Sequence, residues 1–548
     1  MRNLYKNIVK TLLVSAPFLL TGCIEETEPM NGNATARQIQ GNAQASEALV
    51  SALPATFNDI FSRGAHYTFG YGGIMHIRDV MTGDMATVQS NYDAFDAFAR
   101  VRNMGPRYVY MQYVWNYYTG FILSANNIIK NINETSANDA QKGQLGLGYA
   151  FRALCYLDMA RMFEFLPNEK FPSGKNAEGV DVTNLTVPIV TEKTTIEESR
   201  KNPRVTREKM FEFIKSDLNK AETLIPNYKS SNKAMPNLAC VYGLKARLYM
   251  WVEKYDSAQI YARKAIDESH ATPMTKEQSL DTKTGFNQST PWMWASSQTA
   301  DDATVKSKLV NWTSFLSNES EWGYTSYGGP VIMISRDMYD RLSDTDWRKL
   351  EFKAPDGSAL AAQNTYCDDQ YKPGGDQELP KYASLKFRPG NGDVKNHTVG
   401  AATSFPIMRV EEMYFIEAEA AAHQNPAQGK TLLVNFMRAY RDANYSTTAS
   451  TKDAVVEEIV FQKRVELWGE GQTFYDIKRL NYSVKRAYTG TNFKETARYN
   501  TNGRPAWMNF CIVRNEGNNN DVLLTTNNPD PSGLYEPDRK STRLNSSH

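Results

Sequence analysis

The sequence predicts a mostly α-helical protein built from helical pairs, with a large loop-rich insert between two helical parts. Two observations support this prediction. Apolar residues recur three or four positions apart through much of the chain, which is the period of an amphipathic helix. By contrast, residues 267–405 lack this period and are rich in Gly, Ser, Asn, Asp and Pro.

The first 22 residues resemble a secretory signal that ends at a lipidation site. Arg2, Lys6 and Lys10 precede the apolar run "TLLVSAPFLL", which is too short to span a membrane. The run closes with "LTGC", which resembles the bacterial lipobox, in which the cysteine thiol is acylated. Cys23 is therefore the predicted lipidation site, and the lipid would hold the protein on a membrane surface. A plain secretory signal with an incidental cysteine is the alternative.

An acidic segment follows Cys23. The sequence "EETE" places Glu25, Glu26 and Glu28 directly after the predicted lipid anchor. It resembles the signal that sends Bacteroidetes lipoproteins to the outer face of the outer membrane. We therefore expect the protein to be lipid-anchored in the outer membrane and to face the cell surface.

Two helical stretches open the N-terminal part, which we assign to residues 23–266. Residues 108–132 carry apolar side chains at helical spacing. In residues 145–167, small residues such as Ala150 and Ala160 allow a neighbouring helix to approach closely. These two stretches predict the first helical pair.

A second pair follows in the same part of the chain. Residues 206–226 begin with Thr206, a plausible N-cap, and continue with apolar residues at helical spacing. Residues 238–267 predict a helical hairpin that turns near Lys254. Its alternating small and aromatic side chains fit a tetratricopeptide pair.

The C-terminal part, residues 406–537, contains three more amphipathic stretches, at 409–424, 429–443 and 453–471. Between the two helical parts lies the insert, residues 267–405. Loops can vary without disturbing a helical core, so ligands are often bound there. The insert is therefore the candidate ligand-binding region.

Charge and motifs exclude several classes of function. The net charge is +1 and there is no basic block, so we expect no nucleic-acid partner. No HExxH, Walker loop, GxSxG or dinucleotide motif is present, so we predict no catalytic residues, no metal and no cofactor. Four cysteines follow Cys23 without a CxxC spacing, and burial as free thiols is the favoured interpretation, although a disulfide is possible.

Three ordered motifs resemble those of the SusD/RagB family, the outer-membrane nutrient-binding lipoproteins of Bacteroidetes. They are "FRALCYLDMARMFEFLP" (151–167), "SFPIMRVEEMYFIEAEA" (404–420) and "QKRVELWGEGQTFYDIKR" (462–479). The short "SDTDWRK" element around Asp346 and Arg348 also resembles the family. Glu164, Gln462 and Thr473 depart from its usual residues, which puts local packing in doubt.

The resemblance implies a SusD-like α-solenoid that binds nutrients and is not an enzyme. Family members sit as a lid on a SusC-like TonB-dependent outer-membrane transporter and pass it an oligosaccharide or, in some cases, a peptide. Two alternatives stay open: a peptide-binding relative, and a tetratricopeptide-type protein-interaction scaffold without sugar binding. A glycoside hydrolase would need a pair of acids across a cleft, which the sequence neither shows nor excludes.

The charged motif residues are interpreted as structural. Arg409 with Glu412, and Arg464 with Glu466 or Asp476, are candidates for paired, partly buried charges. A helical core tolerates such charges only with partners.

A sugar site needs exposed aromatic rings for stacking, with polar side chains beside them for hydrogen bonds. Two parts of the sequence are rich in such residues. The candidates in the insert are Trp292, Trp294, Trp312, Trp322, Tyr324 and Tyr327. The candidates in the early loop are Tyr67, Tyr71, His76, Arg78 and Asp79. Packing beneath a long loop is the alternative role for each of them.

The last residues, 538–548, resemble the translation of a sequencing-adapter oligonucleotide. We therefore expect this tail to be an artefact, and no functional prediction uses it. A genuine polar tail is the alternative.

The anchor can be tested with one substitution. Cys23→Ala removes the thiol that would carry the lipid, so the protein should move from the outer membrane to the soluble fraction. Fractionation followed by immunoblotting measures this change. Retention of the variant in the membrane at the wild-type level would contradict lipidation at Cys23.

Overall fold

A computed structural model describes residues 43–60, 65–283 and 285–538 of the chain. The predicted signal segment, Cys23 and residues 539–548 lie outside the described residues. Within the described part, no helix is both long enough and apolar enough to cross a membrane.

The predicted fold class is confirmed, because α-helices dominate the described residues and β-structure is minor. The helices are α1 (Ala43–Ala55), α2 (Gly70–Val80), α3 (Asp96–Ala99), α4 (Val109–Asn131), α5 (Asp139–Phe163), α6 (Ile196–Ser199), α7 (Arg207–Leu224), α8 (Leu238–Trp251), α9 (Tyr255–Ser269), α10 (Lys276–Leu280), α11 (Ala303–Lys306), α12 (Trp312–Leu316), α13 (Arg336–Arg341), α14 (His397–Gly400), α15 (Val410–Gln424), α16 (Pro426–Tyr440), α17 (Lys452–Glu466), α18 (Thr473–Arg479) and α19 (Arg514–Asn519).

In the part of the chain that the structure describes, four short strands form two antiparallel pairs. Strand β1 (Met85–Thr87) pairs with β3 (Ile332–Ile334), and β2 (Trp294–Ser297) pairs with β4 (Ser404–Met408). Each pair joins the insert to a segment outside it or at its edge. The insert is therefore hydrogen-bonded into the body of the protein.

Local sequence signals explain where the long helices begin. Asn138 caps α5 by accepting a hydrogen bond from the backbone N–H of Gln141, whose side chain accepts one from Asn138 in return. Thr206 caps α7, as predicted, by accepting from the N–H of Lys209. The predicted turn near Lys254 is also confirmed, because α8 ends at Trp251 and α9 begins at Tyr255.

The long helices pack as a continuous solenoid. Helix α4 packs against α5, α5 against α7, α7 against α8 and α8 against α9. Helix α9 then packs directly on α15, which also contacts α16 and α17. The insert thus leaves the solenoid between two helices that are neighbours in space.

Buried charges connect the insert to the C-terminal helices. The carboxylate of Glu466 lies 3.2 Å from Arg348, 3.1 Å from Arg409 and 2.7 Å from Arg441. All four residues are at most 5% exposed. Burial alone would raise the pKa of Glu466, but Arg441, with Arg409 and Arg348, outweighs burial and holds the pKa well below its usual range.

The expected partners within the motifs were wrong in detail. Arg409 pairs with Glu411, Glu466 and Glu470, not with Glu412. Glu412 instead binds Arg247 of α8. Neighbouring residues on a helix point about 100° apart, so adjacent glutamates face different elements.

Arg464 also has a different partner from either one expected. It pairs with Asp84, which precedes strand β1. The position of Asp84 beside α17 depends on the tertiary fold, and no spacing in the sequence indicates it.

The four cysteines in the described part of the chain are free thiols. Cys155, Cys240 and Cys511 are buried, and Cys367 is partly buried. Burial as free thiols was the favoured interpretation of Cys155 and Cys240, and it is confirmed.

A second buried carboxylate gives a pH dependence that can be measured. Burial alone would raise the pKa of Asp158, but Arg78 and Arg161 outweigh burial and lower it to about 2. The unfolded chain protonates this group near its ordinary pKa of about 4. A depressed pKa stabilises the fold above the unfolded value, and this stabilisation is lost as the pH falls through the folded value.

We therefore expect the free energy of unfolding to fall by roughly 2–3 kcal/mol through Asp158 between about pH 5 and pH 1. Urea denaturation at several pH values measures this change, and Asp158→Asn should flatten the profile. A flat profile for the wild-type protein would contradict the predicted linkage.

Candidate functional site

The structure buries ten of the eleven predicted ligand-binding residues. Each of the ten is at most 5% exposed, whereas Tyr327 is 56% exposed. The expectation of exposed rings at the other positions was wrong. The buried residues are Trp292, Trp294, Trp312, Trp322, Tyr324, Tyr67, Tyr71, His76, Arg78 and Asp79.

Four of the five tryptophans of the insert, the four named above, are core residues, and the fifth, Trp347, is partly buried. Trp312 stacks on Phe405 of β4 at 5.2 Å between ring centroids. The indole N–H of Trp294 donates to the carbonyl oxygen of Ala234 at 3.0 Å. Aromatic rings bury a large apolar area, so a long insert gains most of its stability by packing them inward.

The expectation of a loop here was wrong for residues 70–80, which form helix α2, and its Tyr71 and Arg78 belong to a buried polar network centred on Asp158 of α5. Tyr71 donates a hydrogen bond to the Asp158 carboxylate at 2.7 Å, and Arg78 lies 3.4 Å from the same oxygen. Tyr118 donates to that oxygen at 2.9 Å. This network joins α2, α4 and α5, which is a structural role.

His76 and Asp79 are equally inaccessible. Burial lowers the pKa of His76 to about 3, so the ring is neutral at ordinary pH, and it packs edge-on against Phe95 at 4.3 Å. Burial raises the pKa of Asp79 well above its usual range, although its carboxylate accepts hydrogen bonds from the backbone N–H of Gly471. Neither side chain faces solvent.

Strand pairing nevertheless brings the segment that follows β1 together with the insert at the surface. Beyond the pair Thr87↔Ile332, the two segments continue side by side, and the N–H of Asn91 donates to the carbonyl of Gly328 at 3.2 Å. This contact places Tyr92 beside the 3-10 turn Tyr324–Tyr327.

A column of near-parallel rings leads from the core to this surface. Phe69 stacks on Phe315 at 5.3 Å, Phe315 on Tyr324 at 4.0 Å and Tyr324 on Tyr92 at 6.0 Å. The first three residues are at most 3% exposed, and Tyr92 is 52% exposed. The buried rings pack against Tyr92 and restrict its side chain, so a ligand that binds to this exposed ring loses less conformational entropy in ordering it.

His66 completes the cluster. Its Nδ1 atom hydrogen-bonds the hydroxyl of Tyr324, and its ring meets Tyr92 edge-on at 5.7 Å. Burial lowers the pKa of His66. Burial, with Tyr92 nearby, raises the pKa of Tyr324, so both groups are neutral at pH 7.

The turn that carries Tyr327 is defined by glycine. Gly328 ends the turn with a φ of 74°, a left-handed conformation that favours glycine. Lys308 donates a hydrogen bond to the hydroxyl of Tyr327 at 2.5 Å. We call His66, Tyr92, Tyr324 and Tyr327 the tyrosine surface.

Polar side chains lie around the tyrosine surface. Asn91 is exposed beside Tyr92. Ser326, within the turn, has its hydroxyl 3.4 Å from the side-chain oxygen of Gln377, which is itself exposed. The surface therefore combines exposed rings with hydrogen-bonding groups, as a sugar site requires.

Sequence reasoning missed Tyr92, although a signal for it was present. Tyr92 lies in the stretch "QSNYD", where both of its direct neighbours, Asn91 and Asp93, are polar. Trp292 and Trp294, by contrast, lie in "PWMW", where Met293 and Ala295 extend the apolar run. Polar neighbours were therefore the available signal for Tyr92, but Trp322 also lies between non-apolar residues, Glu321 and Gly323, and is buried.

No metal centre is visible in the described part of the chain, where no group of three or more His, Cys, Asp or Glu side chains is placed to hold an ion.

Two family models match the sequence. Residues 43–250 match a family described as starch-binding and associating with the outer membrane. Residues 368–524 match the SusD family. Together these ranges take in more than half of the chain. The chain belongs to the SusD family. All three motifs lie within these matched ranges, which confirms the family resemblance.

Solved structures share the fold of this SusD-family protein at low sequence identity. A SusD-like carbohydrate binding protein from Bacteroides vulgatus is 21% identical, with a TM-score of 0.69, and the alignment covers 88% of this chain and 97% of the other. A SusD superfamily protein from Bacteroides thetaiotaomicron is 17% identical, with a TM-score of 0.65 and coverages of 89% and 99%.

A third similar structure is a SusD superfamily protein from Bacteroides fragilis, 18% identical, with a TM-score of 0.60 and coverages of 88% and 99%. No curated protein matches the sequence. Residues 251–367, which include Tyr324 and Tyr327, lie between the two family matches. The insert half of the tyrosine surface is therefore outside the matched ranges.

The buried state of the tryptophans predicts a loss of stability on truncation. Replacement of Trp292, Trp294 or Trp322 by alanine should destabilise the SusD-family protein by about 3–5 kcal/mol, because each leaves a cavity in the core. Chemical denaturation followed by circular dichroism measures this loss. Wild-type stability in all three variants would show that these rings are not core residues.

Proposed function

We propose that this SusD-family protein is a cell-surface lipoprotein of the outer membrane that binds an oligosaccharide and delivers it to a SusC-like TonB-dependent transporter. The observation that carries the proposal is the tyrosine surface, where exposed rings and polar groups meet on a rigid support. The family description, starch-binding and associating with the outer membrane, agrees with it. The lipobox at Cys23 supports the lipid anchor.

Stacking is the main physical contribution expected at this surface. The C–H faces of a pyranose ring are apolar and flat, and they pack on aromatic rings while the hydroxyl groups stay at the edge. Tyr92 and Tyr327 are both more than half exposed and come from hydrogen-bonded segments. Two such rings can contact successive sugar units of one oligosaccharide.

The hydroxyl groups of the sugar need partners beside the rings. Asn91 offers an amide and Lys308 offers an ammonium group next to the Tyr327 hydroxyl. Ser326 and Gln377 add a hydroxyl and a second amide. These neutral and cationic groups suit an uncharged or weakly acidic glycan better than a metal ion or a nucleic acid.

The solenoid helices would then be free to contact the transporter. Their outer face carries half-buried aromatics under lysine ammonium groups, as where Tyr249 stacks on Tyr261 at 5.5 Å and the exposed Lys264 lies 5.1 Å from the Tyr261 ring. This surface belongs to α8 and α9, and the tyrosine surface belongs to the insert and the early loop. Ligand and transporter would therefore use different elements of the protein.

A binding role, without catalysis, is part of the proposal. A peptide ligand, or a scaffold without sugar affinity, remains the alternative, because aromatic rings also bind peptide side chains. Isothermal titration calorimetry with a maltooligosaccharide tests the starch assignment first, and a wider glycan and peptide panel follows. Chromatography of the ligand after incubation should show no hydrolysis.

Truncation of the exposed rings should weaken binding without unfolding the protein. Tyr92→Ala and Tyr327→Ala each remove one stacking ring, so the dissociation constant should rise roughly 5- to 150-fold, which corresponds to about 1–3 kcal/mol. Calorimetry measures the affinity, and circular dichroism verifies the fold.

Tyr108→Ala is the matched control. Tyr108 is 41% exposed and lies outside the tyrosine surface, directly before α4. Its truncation should leave the affinity unchanged. Equal losses in all three variants, or unchanged affinity in Tyr92→Ala and Tyr327→Ala, would refute the tyrosine surface as the binding site.

A further inference from the structure

A second concave site lies at the junction of the N-terminal and C-terminal helical parts, away from the tyrosine surface. It has a volume of about 350 Å³ and is lined by residues of α5, α7, α8, α15, α17 and α18 and by Arg504. Glu253, one of its lining residues, is exposed, so the site opens to solvent. A volume of this size accommodates a ligand of about monosaccharide size. We call it the cationic cavity.

Basic side chains outnumber acidic ones around the cationic cavity. Seven of its lining residues are Arg or Lys, and four are Asp or Glu. Three of the acids are already bound to lining cations: Glu164 to Arg207, Glu412 to Arg247, and Asp476 to Lys463 and Arg479. Asp158 and Glu419, which do not line the cavity, bind Arg161 and Arg479 in addition, so the uncompensated positive charge is that of the two remaining cations.

Two of the cations have no carboxylate partner among the described residues. Lys478 donates to the carbonyl oxygens of Met162 at 2.9 Å and Glu164 at 2.7 Å. The Nε atom of Arg504 donates to the side-chain oxygen of Asn481 at 3.0 Å. Both sets of partners are neutral, so neither charge is compensated by its hydrogen bonds.

Burial makes these uncompensated charges costly. Lys478 is 2% exposed, and burial lowers its pKa well below the usual range. Glu164 acts against burial, whereas Arg504 and Arg207 act in the same direction as burial. Burial also lowers the pKa of Arg504. A buried cation is stable only with a partner, so an anion in the cavity would relieve this cost.

Two buried hydrogen-bond donors without acceptors are a second feature of the cavity that suits an anion. Within the described part of the chain, the Nη1 atoms of Arg247 and Arg479 are buried and lack a hydrogen-bond partner. The side chains of these two residues are 2% and 8% exposed, and both line the cavity. Buried donors normally have acceptors, and a small shift of either guanidinium would let a bound anion supply one.

We propose that the cationic cavity binds a small molecule that carries an anionic group, either a carboxylate, a sulfate or a phosphate. Arg504 and Lys478 would hold the charged group. Apolar and aromatic lining residues, among them Met250 and Tyr475, would contact the rest of the molecule. The proposal is independent of the tyrosine surface, because no residue is shared between the two sites.

Calorimetry with defined probes tests this proposal on the purified protein. The probes are D-glucuronate, inorganic sulfate and inorganic phosphate, each compared with D-glucose at constant ionic strength set with chloride. We expect saturable binding of at least one anionic probe and none of D-glucose. The probe that binds distinguishes a carboxylate ligand from a sulfate or phosphate ligand. Absence of saturable binding for all three anionic probes in the chloride buffer would overturn the proposal.

One substitution locates the binding to the cavity. Arg504→Gln keeps a hydrogen-bonding group in a half-buried position and removes the charge, so the affinity for the anionic probe should fall about tenfold or more. Arg107→Gln is the matched control, because Arg107 is an exposed arginine outside the cavity. Equal losses in both variants would show non-specific charge attraction and would also overturn the proposal.

Should Arg504→Gln prove unstable, Lys478→Met provides the second variant. Methionine has a similar length and no charge, and it removes the ammonium group from the centre of the cluster. The same loss of affinity is expected, with circular dichroism as the control for folding. Wild-type affinity for the anionic probe in a folded Lys478→Met variant would show that Lys478 does not hold the charged group, and would overturn the proposal.

Discussion

The carboxylate of Glu466 is bound by three arginines that come from three separate segments, and the C-terminal half of the fold depends on this arrangement. Arg348 belongs to the insert, Arg409 immediately precedes α15, and Arg441 follows α16. Loss of this single carboxylate would leave buried cations without compensation, which is far more costly than loss of an exposed pair. The requirement for mutual neutralisation therefore fixes how the insert, α15, α16 and α17 meet.

These ion pairs hold the long insert in place, and the packing of the solenoid helices continues past it. Helix α9 packs on α15 as if no residues intervened, and the strand pairs tie the insert back to the helical body. The β1–β3 pair also places Tyr92 beside the Tyr324–Tyr327 turn. The tyrosine surface is therefore a consequence of the same pairing that closes the fold.

The two candidate sites differ in chemistry and in relation to the family. The tyrosine surface is aromatic and exposed, and its insert half lies outside the ranges that match the family models. The cationic cavity is built from residues of the shared helical motifs, including Arg161, Glu412 and Arg479. A loop surface can change with the ligand, whereas a cavity between core helices is constrained by their packing.

The sequence alone determined most of the long helices, because amphipathic periodicity and caps such as Thr206 are local properties of the chain. It did not indicate α2, whose residues 70–80 were expected to form a loop. It also determined the family, through motifs whose order and spacing can be read directly. Only the tertiary structure decided which aromatic rings are exposed: Trp294 faces the core and Tyr92 faces solvent. It likewise decided that Arg464 pairs with Asp84 and not with Glu466. Exposure and ion pairing depend on which distant segments pack together, and the pairing of β1 with β3 brings together residues that no local spacing relates.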